Sequence, residues 1–141
     1  MEQFVDFSTN HATLVGSFFA LLGFIVFSEY RTLTQKFSVV TPSGAIPLMN
    51  LDDSIVIDVR ESNELKDGKI ADTKHIPMGS ISSKLKELEN YKNKDVVVYC
   101  RSGHRSASAC RTLTNNGFEK VYNLKGGIMA WRDAQLPIVR K

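Results

Sequence analysis

The chain has 141 residues, 43% of them hydrophobic and 23% charged, with a formal charge of +3 and two cysteines. That length suits one compact domain, and two cysteines exclude a disulfide-stapled mini-protein. The abundance of apolar residues excludes a disordered polyampholyte tail.

These averages combine two unlike parts. Six of the eight phenylalanines fall within the first 27 residues, and no lysine or arginine precedes Arg31. From Arg31 to Lys141 there are 18 basic and 12 acidic residues, a net +6. Phe7–Ser28 is a run of 22 residues without formal charge, and its apolar core is ATLVGSFFALLGFIVF, Ala12–Phe27. At about 1.5 Å rise per residue, a helix of this size reaches roughly 24–33 Å, the thickness of a bilayer's hydrocarbon. Its apolar positions cover every face, so no polar stripe remains for water. A buried core helix would have to be apolar all round yet terminal. A cleaved signal peptide fits poorly, because Glu2 and Asp6 stand where a basic leader is usual and no A-x-A site follows. The expectation is a short segment at residues 1–11, a single transmembrane anchor at 12–28, a linker at 29–36 and a domain at 37–141. Arg31 and Lys36 follow the span and no basic residue precedes it, which predicts a domain facing the cytoplasm.

Beyond the linker, β-rich runs alternate with helical stretches. Phe37–Thr41, Ser54–Val59, Asp95–Cys100 and Lys120–Leu124 read as strands, nearly continuous in apolar residues and so suited to a sheet covered on both faces. Ser82–Tyr91 carries Leu85 and Leu88 on one helical face. Arg105–Asn116 is a second helix stopped by Gly117, and Ile128–Ala134 a third, stopped before Pro137. This alternation predicts an α/β domain with a mainly parallel sheet, whose site lies beyond the carboxyl ends of the strands. Asp58 and Cys100 both fall at such ends.

The informative stretch is Cys100-Arg101-Ser102-Gly103-His104-Arg105-Ser106, between a strand and a helix. Loop amides and the next helix's N-terminus are expected to face the sulfur, and Arg101, His104 and Arg105 add positive potential. Gly103 permits a tight turn of positive φ. These features favour thiolate over thiol and form an anion-binding nest. The plainer reading, a buried cysteine ending a core strand, leaves three basic residues and a glycine within five positions unexplained.

The loop CRSGHRS, the strand end Asp58-Val59-Arg60, the turn His75-Ile76-Pro77, and Leu124-Lys125-Gly126-Gly127 followed by Trp131 together resemble the rhodanese family of sulfurtransferases. The resemblance covers about residues 37–139 and implies a five-stranded parallel sheet flanked by helices. It also implies catalysis through a persulfide on Cys100, with Arg101, Ser102, Gly103, His104, Arg105 and Ser106 as the cradle. With the anchor, the chain resembles the membrane-tethered single-domain rhodaneses of bacteria, which places it in the inner membrane. Met78 interrupts the family's usual H-I-P-G-A, so a local loop change is expected there. Cysteine phosphatases use C-x5-R; here Cys100 and Arg105 form C-x4-R and Ser106 takes the phosphatase arginine's place, which argues against phosphoryl transfer.

The expected reaction moves a sulfane sulfur from a small anionic donor such as thiosulfate to cyanide, a thiol or a thioredoxin-like acceptor. A second reading is a membrane-tethered binding module that recruits a sulfur-carrying or regulatory partner without catalysis. Asp58 and Arg60 are expected to support the loop through hydrogen bonds or an ion pair, and His75 to fix its own turn. Cys110 reads as a core residue before a resolving thiol, and Trp131 as a core or covering residue. The histidines and cysteines lack metal-ligand spacing, no cofactor is implied, and no basic stripe supports nucleic-acid binding.

Overall fold

The computed structural model describes residues 11–140. Almost all of the segment expected at residues 1–11 therefore lies outside the described residues. The chain divides into two units between Gln35 and Lys36.

The first unit contains helix α1, Ala12–Leu33, of which Ala12–Arg31 is long and apolar enough to cross a membrane and is nowhere buried. The helix runs past the expected end at Ser28, so much of the expected linker is helical. Neither glycine nor proline stands between Ser28 and Leu33 to stop it. Thr34 donates to the Tyr30 carbonyl from both its N–H, at 3.1 Å, and its Oγ1, at 2.9 Å, and so closes the helix end.

In the second unit the elements are β1 (Ser38–Val40), α2 (Pro42–Met49), β2 (Ile55–Asp58), β3 (Thr73–His75), α3 (Ile81–Lys84), β4 (Asp95–Tyr99), α4 (His104–Asn115), β5 (Lys120–Leu124) and α5 (Gly127–Asp133). The five strands form one parallel sheet in the order β1-β5-β4-β2-β3. Side chains alternate across it. Ile55, Ile57, Val96, Val98 and Cys100 face the core shared with Ile81, Leu88, Ala109, Cys110 and Leu113. Val56, Val97 and Tyr99 face the opposite core, with Ala45, Ile128 and Trp131. Each fully buried Val, Leu or Ile contributes roughly 1.5–3 kcal/mol relative to exposure, so burial on both faces explains the unbroken apolar runs.

Two elements were not expected. Helix α2 lies in a proline-containing stretch that resembles a loop. Pro42 suits the first helical turn, and Thr41 Oγ1 accepts from the Gly44 N–H at 3.3 Å. Strand β3 is three residues long and polar, and it forms because β2 offers a parallel edge, pairing Val56 with Thr73 and Asp58 with His75. A further difference concerns Ser82–Tyr91. The segment is a short α3 that continues as a 3₁₀ turn, Leu85–Tyr91, which stacks residues three apart and so buries Leu88 with Leu85 packed beside it.

Strands β2 and β4 are neighbours, with Asp58 opposite Tyr99. From β2 the chain proceeds to β3 on one side, and from β4 to β5 on the other. The connections diverge here, which opens a crevice at the carboxyl ends of these two strands. Cys100 follows β4 directly into it.

Candidate active site

Cys100 Sγ accepts a hydrogen bond from the Gly103 N–H at 3.1 Å and lies 3.4 Å from Ser106 Oγ. The left-handed backbone of Gly103, at φ 102°, turns the chain so that its amide faces the sulfur. Helix α4 then begins at His104, and its first-turn amides have no acceptor within the helix. Burial alone pushes the Cys100 thiol up. The Ser106 hydroxyl and the amides of Ser106, Gly103 and Ser102 outweigh burial and hold the thiol below its ordinary value. The thiolate is therefore favoured by the loop and helix-start amides expected at the sulfur and by the Ser106 hydroxyl, whose proton is shared with Asn123 Oδ1.

The outer face of the loop is also fixed. Ile128 N–H donates to the Cys100 carbonyl at 2.9 Å and Met129 N–H to the Arg101 carbonyl at 3.2 Å. With those carbonyls held by the start of α5, the loop is left to turn N–H groups toward the sulfur. Gly127, at φ 57°, makes this approach possible: a Cβ there would stand 2.4 Å from the Cys100 oxygen and 2.5 Å from that of Arg101.

The basic residues play unequal parts. Arg105 is held by a bidentate ion pair with Glu64, at 2.7 and 2.8 Å. Its guanidinium is thereby engaged by a carboxylate, and the pairing raises the Arg105 pKa while holding the Glu64 carboxyl down at about 2. Arg101 and His104 are exposed, and their side chains make no hydrogen bond or ion pair among the described residues.

Asp58 and Arg60 bind each other and, among the described residues, make no hydrogen bond or ion pair to the loop. Both are buried, with Arg60 Nη2 donating to Asp58 Oδ2 at 2.7 Å and Nε to both carboxylate oxygens at 3.0 and 3.1 Å. Burial works against the Arg60 charge, but Asp58 more than offsets it. Arg60 also donates to the carbonyls of Glu64 and Gly68, at 3.2 and 2.9 Å. The pair thus fixes the 3₁₀ segment Ser62–Asp67, which delivers Glu64 to Arg105. His75 Nε2 is 2.7 Å from the Arg60 carbonyl and ties β3 to the same junction. At the expected departure, Met78 opens a 3₁₀ turn and its N–H donates to the Val59 carbonyl at 3.1 Å. Cys110 is fully buried in α4, where burial pushes its thiol well up, and Trp131 donates from Nε1 to the Pro137 carbonyl at 2.9 Å within the core.

Two residues of this constellation carry no functional signature in the sequence. Glu64 lies far from the loop along the chain. Asn123, buried in β5, accepts from Ser106 Oγ at 2.6 Å and donates from Nδ2 to the Gly103 carbonyl at 3.1 Å. The one available hint was an amide inside the apolar strand KVYNL, a position where a buried polar group requires partners. A cleft of about 290 Å³ beside the loop is lined by Arg60, Glu64, Asp67, Arg101, Met129 and Arg132, among others. A cavity of about 330 Å³ next to α2 and Trp131 shares no residue with the loop.

Comparison with known proteins agrees with this geometry. Residues 42–134 match the rhodanese-like domain family. The chain is 32% identical to the uncharacterized protein YibN of Escherichia coli over 141 residues, covering 99% of both chains. It is 42% identical to a sulfurtransferase of Allochromatium vinosum over 92 residues, 65% of this chain and 84% of that one. The solution structure of the polysulfide-sulfur transferase homodimer from Wolinella succinogenes superposes with a TM-score of 0.68 at 31% identity, covering 84% of this chain and 90% of that one.

Proposed function

The chain belongs to the rhodanese-like family, a sulfurtransferase family, and from that premise we propose that Cys100 carries sulfane sulfur as a persulfide. The observation that carries this reading is the Gly103 amide 3.1 Å from Sγ, in a buried cradle that holds the thiol below its ordinary value. In the first step the Cys100 thiolate attacks the outer sulfur of a donor such as thiosulfate. The donor's S–S bond breaks, sulfite leaves with the electron pair, and Cys100 bears a terminal S⁻. In the second step an acceptor nucleophile takes that terminal sulfur and Cys100 returns as thiolate. Cyanide serves as acceptor in an assay, and a small thiol or a thioredoxin-like protein thiol in the cell. The two half-reactions give ping-pong kinetics.

The catalytic role belongs to Cys100 alone. Gly103, Ser106 and the neighbouring amides stabilise negative charge on either sulfur, because their dipoles are in place before the charge arrives. Arg101 and His104, exposed at the cradle, attract anionic donors. Asp58, Arg60 and Asn123 are positioning residues. We place the domain on the cytoplasmic face of the bacterial inner membrane, held by α1. Support for this comes from the apolar helix and from Arg31 and Lys36 following it.

Intact mass spectrometry of the full chain in detergent, after incubation with thiosulfate, tests the proposal. Gain of one sulfur atom, removed by cyanide and absent in Cys100→Ser, is the expected result. If no sulfane donor adds sulfur to the wild type, catalysis fails as a reading and the non-catalytic tethered module replaces it.

A further inference from the structure

Building on the sulfur-transfer reading, we propose that Glu64 selects sulfur donors by charge: by neutralising Arg105 it makes the Cys100 loop favour monoanionic over dianionic donors. The loop sequence presents three basic side chains, which would suit a dianion. The structure withdraws one of them. Both Nη atoms of Arg105 are occupied by the Glu64 carboxylate, at 2.7 and 2.8 Å, and the ion pair is part-buried.

Glu64 is not a surface carboxylate that happens to lie nearby. Its Oε2 also accepts from the Glu61 N–H at 2.9 Å, and its own carbonyl accepts from Arg60 Nη1 at 3.2 Å. Arg60 in turn is locked to the buried Asp58. A buried ion pair at the end of β2 therefore serves to hold a second one beside the nucleophile. Glu64 and Arg101 both line the cleft of about 290 Å³ next to the loop.

The charges add simply. Cys100 thiolate and Glu64 are each negative and Arg105 is positive, so this trio presents one net negative charge to an incoming donor. Without Glu64 it would present none. Each unit of donor charge feels that difference, so a dianion is penalised about twice as strongly as a monoanion.

Two donors with the same reacting sulfur separate this effect from chemistry. Thiosulfate is a dianion and releases sulfite. Methanethiosulfonate is a monoanion and releases methanesulfinate. In both, the Cys100 thiolate bonds to the terminal sulfur, the donor's S–S bond breaks, and its electron pair departs with the leaving group. Total charge is conserved in each case.

The test measures sulfur loading of full-length protein in a non-ionic detergent with each donor, taking the thiosulfate-to-methanethiosulfonate rate ratio. Glu64→Gln keeps the shape of the pair and removes one negative charge. The ratio is expected to rise about fivefold at low ionic strength, with a smaller rise in high salt. Arg105→Gln should lower the ratio, and the double variant should restore the wild-type value. A merely structural role would slow both donors alike and leave the ratio in place; a ratio unchanged within about twofold in Glu64→Gln overturns the proposal.

A parallel measurement does not depend on sulfur transfer. The ratio of Cys100 alkylation rates with iodoacetate and with iodoacetamide, an anion and a neutral analogue, should rise in Glu64→Gln. If the wild type takes sulfur from neither donor, the sulfur-transfer reading fails. The alkylation ratio then still decides whether Glu64 filters anions at Cys100, and an unchanged ratio overturns that too.

Discussion

Cys100 and Cys110 face the same core cluster and are 1% and 0% exposed, yet their thiols shift in opposite directions. Cys110 lies within α4, where the surrounding amides already donate along the helix. Burial is the largest influence on it and raises the thiol. Cys100 stands just before the same helix, where first-turn amides have no carbonyl to bind, and Gly103 turns one more amide inward. Burial penalises the thiolate at both places. The direction of titration is decided by the donors that face the sulfur, the Ser106 hydroxyl and free main-chain amides, and a helix leaves its amides free only at its start.

The sharpest way to break this comparison is to exchange the two residues' fates. Cys100→Ser is expected to abolish sulfur loading, whereas Cys110→Ala should leave loading within about twofold of wild type, both read by intact mass after thiosulfate. Next in size is Gly127→Ala. Its Cβ would enter the space of the Cys100 and Arg101 carbonyls, so we expect a loss of about 2–4 kcal/mol in unfolding free energy by denaturant titration. Alkylation of Cys100 should also become more like that of an ordinary thiol.

Asn123→Leu tests the support beneath the cradle. It strips partners from the buried Ser106 hydroxyl and the Gly103 carbonyl, at a cost of about 1–3 kcal/mol. A change in titration is expected from Ser106→Ala, read from the pH dependence of Cys100 alkylation. The wild-type rate rises with pH through a value below that of an ordinary thiol, because the thiolate is the reacting form. Removing the hydroxyl takes away one stabiliser of the thiolate, so the inflection moves toward alkaline pH. Cys110→Ala should leave that inflection in place while costing about 1–2 kcal/mol for the buried volume removed. A Cys110 variant that shifted the profile would show that the two thiols are coupled and that position relative to the helix does not suffice.

The sequence made one side of this contrast legible. Strands β2, β4 and β5 announce themselves as apolar runs because both sheet faces are buried. The loop after β4 announces itself because Gly103 and three basic residues interrupt the pattern at a strand end. Helix α2 and strand β3 were not legible, since Pro42 and Pro47 mimic a loop and Thr73–His75 forms a strand only through pairing with β2. The supports of the site were hidden for a related reason. Ser106 reaches Asn123 across 17 positions and Arg105 reaches Glu64 across 41, so neither pairing leaves a local pattern. Asp58 and Arg60 were recognisable as a strand-end pair. Their task of holding the Glu64 segment depends on backbone carbonyls that no residue type encodes.

The atoms that hold the Cys100 sulfur are mostly main chain, and the start of α5 anchors the loop by its carbonyls. The side chains of Arg101, Ser102 and His104 are exposed and are not needed to keep the loop's shape. Such a loop separates the grip from the greeting. Selection can rewrite three exposed letters to change which molecules approach, without redesigning the place where sulfur rests. A library randomised at positions 101, 102 and 104 therefore offers a direct route to new donors and acceptors on an unaltered scaffold.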